Sequence, residues 1–257
     1  MSRVTTRTTI TRPPETAHLL DTLSQVGPRG LTSCPGWSAH HIAAHIAGNH
    51  EEARRHVEAY HAGRPLPGTR SFEEREAPLL RQRFDVLLTR IETEEAGLLT
   101  AVQAVLAADE GARLRWTNRT VKIAGFPTHM RSECALHRWD VAGDDDVSRQ
   151  LLAQSDLLAH AVTFIGKPLL LRGLAGAPAP FLGRVRSPGA DDLLVSVERD
   201  RAPRLEITKQ RGPAVLECDA AARLLLLWGR KAQPFHRLRA DADDATVARL
   251  QQLLSGY

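Results

Sequence analysis

Two stretches decide the fold: residues 34–48, CPGWSAHHIAAHIAG, and residues 131–143, RSECALHRWDVAG. In the first, Cys34-Pro35-Gly36-Trp37 reads as a turn and Ser38 as a helix N-cap. Ile42, Ala43, Ile46, Ala47, Ala53 and Val57 then recur on one side of a helix from Ala39 to about Ala62. His45 falls on that apolar side, where an imidazole must satisfy two ring nitrogens without water. A core histidine bonded to a backbone carbonyl is one reading of it. In the second stretch Glu133 and His137 are four residues apart, so both leave one helix face one turn apart. Bundle interiors hold metals with such groups, and two imidazoles with one carboxylate form the ligand set of many catalytic zinc sites. Taken alone, a Glu-x-x-x-His pair reads equally as a surface pair worth a few tenths of a kcal/mol.

Outward from these stretches the first half is helical. Leu19, Leu20, Leu23 and Val26 follow Pro13-Pro14 at helical spacing, and Gly27 ends that run. Residues 63–70 form a loop, Ser71 and Glu74 have capping-box spacing, and one long helix is expected to run to about Ala108. Residues 111–127 look irregular, and Thr128 is placed to cap a fourth helix ending near Gly143. A further helix over 149–165 leads to a Gly/Ala/Pro-rich connection at 173–180. Strands are expected at 181–186, 192–198, 204–209, 214–218 and 235–240. Helices are expected from Ala220 to Trp228, behind Asp219, and after Asp243 or Asp244. The fold class is therefore α+β in two domains: a four-helix bundle over 1–165 and a small α+β domain over 175–257.

Of 34 basic residues only Lys122, Lys167, Lys209 and Lys231 are lysine. A GC-rich genome produces that skew, so it speaks of the host and not of a ligand. The net charge is +4, and Arg3, Arg7 and Arg12 carry three of those charges in the first twelve residues. With no basic block elsewhere, nucleic acid is not an expected partner. No run approaches the ~18 apolar residues of a membrane span. The N-terminus lacks the apolar run of a signal peptide and reads as a disordered arm. Three scattered cysteines with no CxxC pair point to a reducing cytoplasm, and to neither a disulfide framework nor a cysteine metal cluster.

Together the two stretches resemble the mycothiol-dependent maleylpyruvate isomerase family. The resemblance implies a DinB-like bundle in which His45, Glu133 and His137 take the family's three metal-ligand positions. Residues 221–230, AARLLLLWGR, resemble a helix of the family's C-terminal domain, which is similar to sterol-carrier proteins. It further implies zinc or another divalent ion, mycothiol as thiol cosubstrate, and an actinobacterial host. The expected activity is isomerisation of, or S-transfer to, a small electrophile by a monomer or homodimer. A non-catalytic small-molecule or lipid-binding protein with a structural metal is the rival.

Neighbouring residues receive narrower expectations. His129 lies one turn before Glu133 and is read as supporting the site more than as a fourth ligand; His41 is a weaker rival to His45. Asp140 can orient a ligand imidazole or serve the helix end. Trp37 is expected to fix the turn, Asn49 to face the cavity, and His50 and His56 to lie on a solvated face. Cys134 points roughly 100° away from Glu133 on the helix. Arg230, the one candidate catalytic residue, either binds a carboxylate bidentately or makes a domain-packing salt bridge.

Overall fold

A computed structural model describes residues 11–174, 180–199, 201–230, 238–240 and 242–254. Most of the N-terminal arm, most of the 173–180 connection and the start of the strand expected at 235–240 lie outside them. Contacts divide the chain into two units, Met1–Cys134 and Ala135–Tyr257.

The first unit is helical. Helix α1 (Pro14–Val26) opens with proline at its first position and stops at Gly27, whose φ of 71° suits glycine. Helix α2 (Ala39–His61) buries Ala43, Ala44, Ala47, Gly48 and Ala53, small residues that let neighbours come close on several sides. Helix α4 (Phe84–Ala108) packs along α2. Arg54 of α2 crosses α4 at Gly97, where a Cβ would come within 2.6 Å of its Cδ, and reaches Glu94 at 2.7 Å.

The single helix expected from 71 to 108 is broken. Helix α3 (Phe72–Leu80) starts in a capping box, with Glu74 N–H donating to Ser71 Oγ at 3.2 Å and Ser71 N–H to Glu74 Oε2 at 2.7 Å. Arg81 and Gln82 turn, Arg83 is extended, and α4 begins anew at Phe84. The apolar period runs on through the break, which is why it does not show in the sequence. The break lets α3 lie against α2.

Residues 113–122, expected to be irregular, form a hairpin of β1 (Arg113–Trp116) and β2 (Arg119–Lys122). Its turn residues Thr117 and Asn118 both have positive φ, 48° and 61°, as a two-residue hairpin requires. Helix α5 (Phe126–Ala142) follows as one uninterrupted element, starting two residues before the expected cap at Thr128.

The second unit takes the far half of α5, three short helices, a sheet and two further helices. The helix expected over 149–165 is replaced by α6 (Asp146–Leu152), α7 (Ser155–His160) and a wider-wound turn over 161–166, followed by α8 (Lys167–Gly173). Asp145 caps α6 by accepting from Ser148 N–H at 2.7 Å. Strands β3 (Phe181–Arg186), β4 (Asp192–Val197), β5 (Arg204–Thr208), β6 (Leu216–Cys218) and β7 (Leu238–Ala240) form one sheet in the order β5-β4-β3-β6-β7. Among the described residues only the β3–β6 pairing is parallel. Val185, Leu193, Val195 and Leu216 from the sheet share a core with Leu224, Leu225 and Trp228 of the α9 region (α9, Ala220–Leu227) and Leu250 and Leu253 of α10 (Asp244–Leu254). The α+β architecture with a helical N-terminal part is thus observed. Among the described residues no helix is long and apolar enough to cross a membrane.

Candidate metal centre

The turn before α2 sets the first ligand candidate. His41 accepts the Ser38 backbone N–H at its Nδ1, at 3.1 Å, so this imidazole closes the helix start. One turn on, His45 is buried, with the Trp37 ring centroid 5.1 Å and the Phe72 ring centroid 5.6 Å from its own. Its Nδ1 lies 2.7 Å from Glu76 Oε1. Its Nε2 lies 2.9 Å from Asn49 Nδ2 and 3.5 Å from Glu133 Oε2. Burial pushes the Glu76 carboxyl up, but the hydrogen bond with His45 and the neighbouring Arg75 guanidinium outweigh this and leave it below the ordinary value.

Glu133 and His137 lie on one uninterrupted helix, so α5 itself fixes their spacing. One ligand atom each from His45, Glu133 and His137 lies within 4.8 Å of the others, and all three residues are buried. Bonds of 2.0–2.1 Å to a tetrahedral ion would separate ligand atoms by about 3.3 Å. The 3.5 Å between His45 Nε2 and Glu133 Oε2 is close to that. Buried acid and imidazole atoms at this spacing fit a divalent ion.

His137 has its own support. Its Nδ1 lies 2.8 Å from Asp140 Oδ2. Arg230 closes on the same carboxylate with both prongs, Nε to Oδ1 at 3.0 Å and Nη2 to Oδ2 at 2.7 Å. Gly229, with φ of 68°, turns the chain after α9 so that Arg230 can reach it. Burial pushes the Asp140 carboxyl up, yet His137 and Arg230 overcome this and hold it down at about 2. Of the two readings of Arg230, the salt bridge is the contact the structure displays.

The other neighbours sort themselves by contact. His129 Nε2 is 3.8 Å from Glu133 Oε1, and burial pushes its pKa down to about 4, so it is neutral. Asn49 does face the cluster. Cys134 contacts Thr16 of α1 at 3.5 Å, and burial raises its thiol pKa. His50 and His56 are not on a solvated face. Both are fully buried, their Nδ1 atoms bonded to the carbonyls of Ile46 at 2.9 Å and Glu52 at 2.8 Å. The small residues of α2 admit neighbours around most of its girth, which a one-sided apolar pattern does not convey. Glu76 was not among the candidates. Nothing in its local sequence marks it, because its partner is 31 residues away.

Comparison with known proteins gives two findings. The sequence profile of a family described as the mycothiol maleylpyruvate isomerase N-terminal domain matches residues 14–142. The crystal structure of a mycothiol-dependent maleylpyruvate isomerase superposes with a TM-score of 0.61 at 17% identity, covering 88% of each chain. A single-histidine mutant of a mycothiol-dependent maleylpyruvate isomerase gives 0.62 at 16% identity, again over 88% of each chain. At that identity the superpositions show a shared fold. No curated protein matches the sequence.

Proposed function

We propose, because the chain belongs to the mycothiol maleylpyruvate isomerase N-terminal domain family, that it is a metal-dependent enzyme using mycothiol on a small electrophile. The observation that carries this is the meeting of one donor atom each from His45, Glu133 and His137 within 4.8 Å. In this reading those three residues hold zinc or another divalent ion. A bound ion supplies a positive centre at which a thiol, with an ordinary pKa of about 8.5, is deprotonated at neutral pH.

The chain's own residues do the rest. Asp140 orients His137, and Arg230 keeps Asp140 ionised and in place. Arg230 therefore acts in this reading as a positioning residue, a narrower role than a clamp on substrate. Isomerisation has the thiolate add to a conjugated double bond, the resulting single bond rotate, and elimination restore both alkene and thiol. S-transfer stops at the new C–S bond, with the carbanion left by the addition taking up a proton. The two reactions share the thiolate step and differ in thiol balance: the first consumes none and the second one per turnover. Three cysteines scattered along the sequence with no CxxC pair agree with a cytoplasmic location.

The test is metal content together with mycothiol-dependent turnover of maleylpyruvate, with loss of thiol followed in parallel. The wild type is expected to hold one equivalent of divalent metal. His45→Ala is expected to lose the metal and at least a hundredfold in activity. Full metal and full activity in that variant would remove the assignment.

A further inference from the structure

His45 is gripped at both ring nitrogens, and one grip comes from an element outside the two ligand-bearing helices. We propose that Glu76 of α3 is a positioning residue for His45, fixing its Nδ1–H tautomer and leaving the Nε2 lone pair turned toward Glu133. The proposal rests on the reading of His45 as a ligand and adds a residue to it.

The chemistry of the two contacts selects one tautomer twice. An ionised carboxylate only accepts hydrogen bonds, so the 2.7 Å contact with Glu76 Oε1 requires the proton on His45 Nδ1. The Asn49 Nδ2 group only donates, so its 2.9 Å contact requires a lone pair on Nε2. Metal-binding imidazoles in general give their second N–H to a carboxylate or carbonyl, which orients the ring and raises its basicity. Glu76 cannot serve as a ligand to the same ion, because it meets the nitrogen at the opposite end of the ring from Glu133.

Glu76 is itself held from several directions. The capping box at Ser71 fixes the start of α3. Just before it, Arg70 donates its backbone N–H to Glu52 Oε1 at 3.0 Å and its Nε to Glu52 Oε2 at 2.7 Å, and its Nη2 reaches Glu51 at 3.1 Å. The Arg75 stem lies on Gly48 of α2, where a Cβ would come within 2.9 Å of its Cγ. Its guanidinium sits 4.8 Å from the Phe72 ring centroid and 3.3 Å from Glu76 Oε1. The short helix is a strap tied to α2 at Gly48, Glu51 and Glu52, within two turns after His45, and Glu76 is the residue it delivers.

Two measurements on the full chain test this. In metal-free protein with labelled histidine, long-range 15N–1H spectra are expected to show His45 as the Nδ1–H tautomer. Glu76→Gln keeps the volume and can still bond Arg75, but it no longer dictates which nitrogen carries the proton. It is expected to populate the Nε2–H form and to weaken zinc binding 10–100-fold by chelator competition, with its thermal unfolding close to wild type. An Nε2–H tautomer in the wild type, or unchanged tautomer and zinc affinity in the variant, would overturn the proposal. If the wild type binds no metal, the proposed function fails while the tautomer measurement still decides the role of Glu76.

Discussion

The two histidines of the centre are supported in opposite ways. His137 has its acid three residues along the same helix, and that acid is braced by an arginine from 90 residues away. His45 has its acid on a different helix, 31 residues on, delivered by a strap that must first be tied down. The first support is built into helical geometry and survives anything that leaves α5 intact. The second depends on the packing of α3 on α2. A local support resists distortion but offers little adjustment; a delivered one is adjustable and correspondingly easier to lose.

Four changes probe that contrast. Asp140→Asn is expected to act most strongly, since it removes the carboxylate that faces both His137 and Arg230. Breaking a buried pair costs about 3–5 kcal/mol, readable by urea unfolding, and metal affinity should fall 10–100-fold. Arg230→Ala should follow. Asp140 keeps its place on the helix, so zinc affinity should drop by about tenfold at most. An effect as large as that of Asp140→Asn would mean the brace matters more than the local acid. Gly48→Ala comes third. The added methyl meets the Arg75 stem, which must move and loosen its hold beside Glu76, at about 1–3 kcal/mol of overpacking strain. Zinc affinity should weaken while the His137 side is untouched, as His137 resonances in NMR would report.

Arg70→Ala should give the smallest change. Burial pushes the Glu52 carboxyl up from 4.5, but Arg70 more than offsets this and leaves it lowered. A carboxyl lowered on folding adds stability that is present above its unfolded value and lost as pH falls through its folded value. Removing Arg70 should therefore flatten the fall in stability below about pH 4.5, measured by thermal melts across an acid series. A steeper fall would contradict the clamp.

Much of this arrangement could be read from the residues alone, and the boundary is physical. Glu133, His137 and Asp140 are legible because helical spacing places them relative to one another without reference to the rest of the chain. His45 is legible from its place on an apolar face. The strands from Phe181 to Cys218 showed in their β-like runs between turn residues. What stayed hidden depends on contacts distant in sequence. Glu76 has no local mark. His50 and His56 are buried because α3 and α4 both pack on α2. The hairpin at 113–122 has strands of four residues each, too short for a periodic signal. The break at Arg81–Arg83 interrupts the backbone but not the apolar period.

Asn49 carries one more consequence. Its amide donates to His45 Nε2 at 2.9 Å, using the lone pair that an ion would need. In the proposed reading, amide and ion would be mutually exclusive partners for a single electron pair, and uptake of metal would be an exchange instead of a simple addition. A bond of this kind is worth about 1 kcal/mol net, which lowers affinity by roughly fivefold. In return, the same bond holds the imidazole aimed at Glu133, 3.5 Å from its Oε2, so ring and carboxylate are kept in register.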